Sequence, residues 1–331
     1  MAGSAMALVR TGEEDPGHAE LLAGLLSVPK TLPSKYLYDE EGSRLFELIC
    51  DQPEYYVART EISLLASIAA DMAHVLKDRS MLVEFGSGAS VKTRLLLDAL
   101  PLLSAYVPID ISQSALSAAA QAIRGEYPRL NVTPVLGDFT RNLKLPTVID
   151  GRSIAGFFPG STIGNFSPSA AVDFLRRARR LFGRGSKLVV GADLAKTPRV
   201  LVPAYDDAEG VTAAFNKNLL TRLNRELGAN FDLGSFDHAA IWNAGESRIE
   251  MHLVSLVSQR VTLLGRSLDF AVGETIHTEN SYKYSPVVFA GLAARAGWSV
   301  DRRWISDDRV SRSSRCPRNS TAPATGFFPP N

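Results

Sequence analysis

Cysteine is nearly absent from this 331-residue chain. Only Cys50 and Cys316 occur, far apart, which excludes a disulfide framework or a cysteine-rich metal cluster. Histidine is scarce as well: His18, His74, His238, His252 and His277 never fall three or four positions apart, so local spacing predicts no metal site. No apolar run approaches the ~20 residues needed to span a bilayer, and the N-terminal stretch lacks a basic segment followed by an apolar one. A soluble cytoplasmic protein without a membrane partner is expected, and a monomer. An excess of either charge is missing too. The 36 Lys and Arg against 35 Asp and Glu leave a net charge of +1, which makes no electrostatic case for nucleic acid. What is present is 45% hydrophobic residues, enough for a full core, in a length that predicts one large or two interleaved domains.

The organising stretch is Leu82 to Ser90, Leu-Val-Glu-Phe-Gly-Ser-Gly-Ala-Ser. A short apolar run holds an acidic residue near its end, then a glycine turn follows, then a helical pattern from Val91 to Leu100. That order predicts the first strand, nucleotide-binding turn and first helix of a doubly wound α/β domain. Gly86 and Gly88 suit a turn where backbone approaches a ligand closely, having no Cβ. A dinucleotide fingerprint would place a third small residue near position 91. Val91 and Lys92 stand there instead, so the stretch reads as an E-x-G-x-G turn for S-adenosylmethionine (SAM), with an ordinary strand-to-helix turn as the alternative.

Strands are predicted at Leu82–Phe85, Ala105–Ile109, Asn131–Leu136, Ser153–Phe158 and Lys187–Leu194, with helices at Arg59–Leu76, after Ser112, and at Ala170–Leu181. Residues 1–20 read as a mobile leader, and Glu20–Val28 as a short helix ended by prolines. Tyr36, Tyr38, Tyr55 and Tyr56 cluster among loop-forming residues. Beyond the fifth strand the alternation stops: Tyr205–Leu227 reads as helix. Arg248–Leu264 and Leu268–Glu279 read as two long strands of an antiparallel hairpin around Gly265, a lid or wall. Pro286–Ala296 (helix) and Trp298–Ile305 (strand) follow. Residues 309–331 are rich in Ser, Arg, Pro and Thr and show no run for a central strand, so an atypical, disordered tail is expected.

Glu84, Gly86, Gly88, Asp110, Asp138 and Asn165 all fall at C-terminal strand ends or the turns after them, where such sheets bind ligands. Asp110, 24 positions after Gly86, is placed for ribose hydroxyls or, alternatively, for a helix dipole. Asp138 with Phe139 fits an adenine pocket or a plain strand-to-helix turn. Lys92 is placed for a cofactor carboxylate or for solvent. Phe157–Phe166, rich in Gly, Ser, Thr and Pro after a buried strand, places Asn165 to orient a substrate amine or to close an Asx turn.

Six blocks carry a resemblance: Tyr38-Asp39, Pro53-Glu54-Tyr55-Tyr56, Glu84-Phe85-Gly86-Ser87-Gly88, Phe158-Pro159-Gly160-Ser161-Thr162-Ile163-Gly164-Asn165-Phe166, Tyr205-Asp206-Asp207 and Thr278-Glu279-Asn280-Ser281-Tyr282-Lys283. Together they closely resemble the histidine Nα-methyltransferases of ergothioneine biosynthesis, over about residues 20–300. The resemblance implies a Rossmann-like SAM-binding domain (61–194 and 283–308). A discontinuous α+β substrate-binding domain (1–60 and 195–282) accompanies it. It also implies three methyl transfers to the α-amine of L-histidine, giving hercynine. Asn165 and Tyr205 would be the catalytic residues. Tyr55 and Tyr205 would hold the substrate carboxylate, Asn165 the amine, Glu279 and Ser281 the imidazole, and Met251 would line the pocket. Tyr38, Gly86, Lys92, Asp110, Asp138 and Phe139 would line the SAM site, and no metal takes part.

The chemistry suits these residue types, since methyl transfer from a sulfonium is a displacement served mainly by positioning. The competing readings are an N-methyltransferase for another amino acid or small amine, a nicotinamide-dependent oxidoreductase, and a non-catalytic SAM- or nucleotide-binding protein.

Overall fold

A computed structural model describes residues 9–10, 17–88, 90–146, 153–306 and 326–328. Two sheets organise them. The larger is mostly parallel, in the spatial order Val9–Arg10, Val135–Leu136, Ala105–Asp110, Met81–Phe85, Ile154–Phe158, Lys187–Ala192, Gly326–Phe328, Trp304–Ile305. Its central strands are apolar and buried on both faces, as a parallel sheet between helical layers requires. One face packs on helices Pro168–Phe182 and Pro286–Arg295, the other on Tyr56–Leu76, Val91–Ala99 and Gln113–Glu126. The α/β Rossmann-like class expected from the alternation is the observed one.

Details differ from the sequence expectations. Asn131–Leu136 is two short strands, Asn131–Val132 and Val135–Leu136, both parallel to Ala105–Asp110. Val9–Arg10, within the stretch read as a leader, pairs with Val135–Leu136; residues 1–8 and 11–16 of that stretch lie outside the described residues. The tail reading is corrected at Gly326–Phe328, which runs antiparallel between Lys187–Ala192 and Trp304–Ile305. The last described strand in the chain is thus inserted between two that precede it. Composition concealed it because three residues, one of them glycine, flanked by prolines form no recognisable run. The remaining tail residues fall outside the described set.

The second sheet has the order Lys30–Thr31, Thr275–Tyr282, Arg248–Ser255, Phe236–Asn243. The predicted hairpin is present but broken into two pairs. Arg248–Ser255 faces Thr275–Tyr282, and Gln259–Leu263 faces Arg266–Phe270 across Leu264-Gly265. Both loop residues have positive φ, 49° and 71°, the two-residue turn whose twist matches a hairpin. Helices Glu40–Asp51 and Val211–Leu227 cover this sheet and share one core with it. The tyrosine-rich segment read as loop-forming is therefore largely helical, from a start capped by Asp39, whose carboxylate accepts the Gly42 amide at 2.8 Å. Gly210, at φ 72°, delays the second helix to Val211, leaving Tyr205 at the end of a short 3₁₀ turn.

Candidate active site

One cleft opens between the two sheets. Tyr38, Tyr55, Asn165, Tyr205, Met251, Glu279 and Ser281 all line it, although they come from six separate segments. Strand Thr275–Tyr282 supplies Glu279 and Ser281, which share a face because strand side chains alternate. Its neighbour Arg248–Ser255 supplies Met251, register partner of Glu279.

Asn165 arrives on the 3₁₀ turn Thr162–Asn165 after the fourth parallel strand, and its Nδ2 donates to Glu279 Oε1 at 2.6 Å. Among the described residues, Asn165 Oδ1 accepts no hydrogen bond, so it remains available to an amine. Burial pushes the Glu279 carboxyl up to about 8, against the opposing pull of Lys283.

Edge-to-face aromatic contacts form one wall. Ring centroids lie 5.5 Å apart for Tyr38–Phe215, 6.1 Å for Phe46–Tyr55 and 6.0 Å for Tyr55–Tyr205. Burial holds the Tyr38 and Tyr55 phenols well above their ordinary values, hence protonated. Phe46 and Phe215 also line the cleft, and sequence reasoning missed them. Their signal was the apolar face of the two helices over the second sheet.

Tyr205 is fixed from two sides. His238 Nε2–H donates to its backbone carbonyl at 2.8 Å, and Nδ1 of the same ring accepts from Asn216 at 2.9 Å, which sets the tautomer. The Tyr205 hydroxyl lies 2.8 Å from Ser281 Oγ. Below them sits Lys283, with no exposed side-chain surface. It donates to Tyr205 at 2.8 Å and to Ser281 at 2.9 Å, and pairs with Asp193 at 3.0 Å. Asp193 also accepts from Lys196 at 2.6 Å and from the Tyr56 hydroxyl at 2.5 Å. Burial alone would raise Asp193; the two lysines outweigh it and hold the carboxyl at about 2. Lys283, two residues past Ser281 on the same face, had a period-2 signal that went unused.

The expected cofactor residues other than Tyr38, which stands in the cleft wall, lie along the carboxyl edge of the parallel sheet. Gly86 and Gly88 have φ of 71° and 43°, and a Cβ at Gly88 would meet nothing within 4 Å. The Asp110 carboxylate accepts from Ser112 N at 2.9 Å and Gly88 N at 3.3 Å, with its pKa raised by burial. Such an open, glycine-lined turn with a half-buried acid behind it fits a ligand bearing ribose hydroxyls.

Phe139 lies against the turn, 3.8 Å from where a Gly86 Cβ would stand. Asp138 Oδ1 closes a turn on Thr140 N at 2.8 Å, while Oδ2 lies 3.6 Å from both Lys35 and Arg141. Lys92 Nζ is paired at 2.5 Å with Glu61, a buried acid that also accepts the Gly160 amide at 2.8 Å. Glu61 escaped sequence reading because its helix looked like plain sheet cover. Glu84 turns away from the crevice, accepting from Thr93 at 2.7 Å and from Tyr106.

Cross-strand pairing does what local spacing could not, placing ligand atoms of Glu250, His252 and His277 within 4.8 Å of one another. Glu250 is held there by Arg248 at 2.7 Å and Asn243 at 2.8 Å. His252 Nε2 faces the Glu250 carboxylate at 3.1 Å while its Nδ1 is buried without a partner. A cation at Nε2 would force the proton onto that buried, acceptorless Nδ1, so the chemistry of the group opposes metal binding.

A doubly wound sheet with a glycine turn and an acid after its second strand, facing a polar-aromatic cleft, defines a SAM-dependent small-molecule methyltransferase. Residues 17–316 match the family described as histidine-specific, SAM-dependent methyltransferases, and the chain belongs to that family. It is 44% identical over 291 residues to the histidine N-alpha-methyltransferase of Mycolicibacterium smegmatis, covering 86% of this chain and 89% of that one. The enzyme of the same name from Mycobacterium tuberculosis is 43% identical over 304 residues, 89% and 94% of the two chains. A 4-dimethylallyltryptophan N-methyltransferase from Trichophyton verrucosum is 32% identical over 304 residues, 86% and 88%.

Proposed function

We propose that this enzyme methylates the α-amine of free L-histidine three times, giving hercynine for ergothioneine biosynthesis. The observation that carries the reading is the convergence of Asn165, Tyr205 and Glu279 on one cleft, which the Gly160 turn also lines. SAM supplies an electrophilic methyl group on a sulfonium.

The chain's own residues do the positioning, the main source of rate in such a displacement. Asn165 Oδ1 accepts from the amine, while its amide stays on Glu279. Tyr55, held protonated by burial, and Tyr205 donate to the substrate carboxylate. Glu279 and Ser281 pair the two imidazole nitrogens, and Met251 closes the apolar side. The aromatic faces of Tyr38 and Tyr55 would tolerate the fixed cation that the nitrogen becomes as methyls accumulate.

Gly86, Lys92, Asp110, Asp138, Phe139 and Tyr38 hold SAM, with the Lys92–Glu61 pair tying that site to the Gly160 turn. In this reading, residues 61–194 and 283–308 serve the cofactor, while 1–60 and 195–282 serve the substrate. We take the enzyme to act as a cytoplasmic monomer; among the described residues no helix is long and apolar enough to cross a membrane.

The 32% identical relative named for a tryptophan derivative keeps a second substrate in view. Incubation with SAM and histidine or tryptophan, followed by mass spectrometry, separates the two: mono-, di- and trimethylhistidine are expected. Turnover of tryptophan alone would overturn the assignment.

A further inference from the structure

Lys283 stands outside every role assigned so far, yet it lies directly beneath the substrate-facing hydroxyls. Its ammonium group has three N–H donors and no acceptor. All three are directed: to Tyr205 at 2.8 Å, Ser281 at 2.9 Å and Asp193 at 3.0 Å. Each hydroxyl oxygen therefore accepts one N–H from below. The two oxygens lie 2.8 Å apart, so one hydroxyl proton occupies the line between them. One proton is left over. Among the described residues neither oxygen has a further partner, and both side chains line the cleft.

We propose that Lys283 is a positioning residue: by occupying one lone pair on each hydroxyl, it keeps the remaining O–H of the Tyr205–Ser281 pair pointed at the substrate. The group seated on that O–H must then be an acceptor, either the amino acid's carboxylate or a lone-pair imidazole nitrogen.

Asp193 is what permits a charged lysine there. It is equally buried, and it is itself held by Lys196 and Tyr56, so loss of the lysine would not leave it alone. With Lys283 replaced by an apolar side chain, either hydroxyl can rotate its proton downward toward Asp193, and the outward donor is lost. The inference rests on the histidine reading above and adds a residue to its specificity.

The test is Lys283→Met, compared with the wild type by histidine kinetics and by calorimetry with S-adenosylhomocysteine. The histidine KM should rise at least tenfold, while S-adenosylhomocysteine affinity stays within about twofold. A lysine that only supported the fold would weaken both ligands together. Combining the change with Tyr205→Phe should cost much less than the sum of the separate losses, since both remove one assembly. Unchanged histidine KM in a folded Lys283→Met protein, or strictly additive losses, would overturn the proposal. Should that variant not fold, Lys283→Arg keeps the charge beside Asp193, but its planar fork cannot make three bonds from one nitrogen. KM should then rise at least threefold, and no rise would overturn it. A wild type that fails to bind histidine would overturn the functional reading as well. A wild type that binds it, with an unaffected variant, would overturn this inference alone.

Discussion

At the scale of single residues, the state of Glu279 decides most. An acid buried this deeply prefers its proton, and its carboxyl sits at about 8, far above the usual carboxylate range. A protonated Glu279 and a neutral imidazole carry the same number of protons as a carboxylate and an imidazolium. Histidine can therefore bind near neutrality without exchanging a proton at this point.

Glu279→Ala removes a charge-assisted contact of about 1.5–3 kcal/mol, so the histidine KM should rise roughly 10- to 100-fold. S-adenosylhomocysteine binding, which uses the other edge of the cleft, should hardly change. Steady-state kinetics alongside calorimetry check both halves, and equal losses in the two would refute the assignment.

The same carboxyl makes a stability prediction. Its folded pKa is raised, so the native state holds an extra proton between about 4.5 and about 8, and stability falls as pH rises through that window. Glu84, also raised to about 8 by burial, acts in the same direction. In the absence of ligand, Glu279→Gln should melt increasingly above the wild type as pH goes from 5 to 9. A difference that stays constant across pH would rule this out.

At the scale of elements, the block from Phe158 to Phe166 shows why certain small residues stand where they do. Gly164 packs against the strand that carries Glu279. A Cβ there would fall 2.8 Å from the Tyr282 carbonyl oxygen and 3.3 Å from its nitrogen, both backbone atoms that cannot step aside. Gly164→Ala should push the Thr162–Asn165 turn off strand Thr275–Tyr282 and separate Asn165 from Glu279. Overpacking of this kind costs about 1–3 kcal/mol, and histidine turnover should drop more steeply than melting temperature. A variant with wild-type kinetics would show that the turn has slack.

Legibility also divides by element. The parallel strands, Gly265 and the carboxyl-edge acids were readable because each follows from a local rule: buried apolar runs, a turn with positive φ, strand-end placement. Helix Glu40–Asp51 had its cap in Asp39 and a face of Leu45 and Ile49, but four tyrosines drew the reading toward loop. Strand Phe236–Asn243 has only two buried positions, Phe236 and His238, so its alternation is too weak to see. Glu61 became visible only when distant segments met, whereas Lys283 stood at a period-2 position from Ser281 that went unused.

At the scale of the molecule, the cleft has no complete wall within either sheet. Asn165 and the Gly160 turn belong to the parallel sheet, while Glu279, Ser281 and Met251 belong to the second. The two are joined through Asp193, at the end of strand Lys187–Ala192, whose carbonyl accepts the Tyr284 amide at 3.0 Å and whose carboxylate holds Lys283. Any ligand that bridges the cleft therefore adds contacts between the sheets, and ligands binding only the folded state stabilise it by mass action, about 2.7 kcal/mol at 100 times Kd.

S-adenosylhomocysteine and histidine together should raise the melting temperature by more than the sum of their separate shifts, because the first orders one side of a site the second must span. Glu279→Ala sharpens the test. It should keep the S-adenosylhomocysteine shift and lose both the histidine shift and the surplus. Strictly additive shifts in the wild type would mean that the two edges of the cleft act independently. A surplus that survives in Glu279→Ala would place the histidine somewhere other than between Asn165 and Glu279.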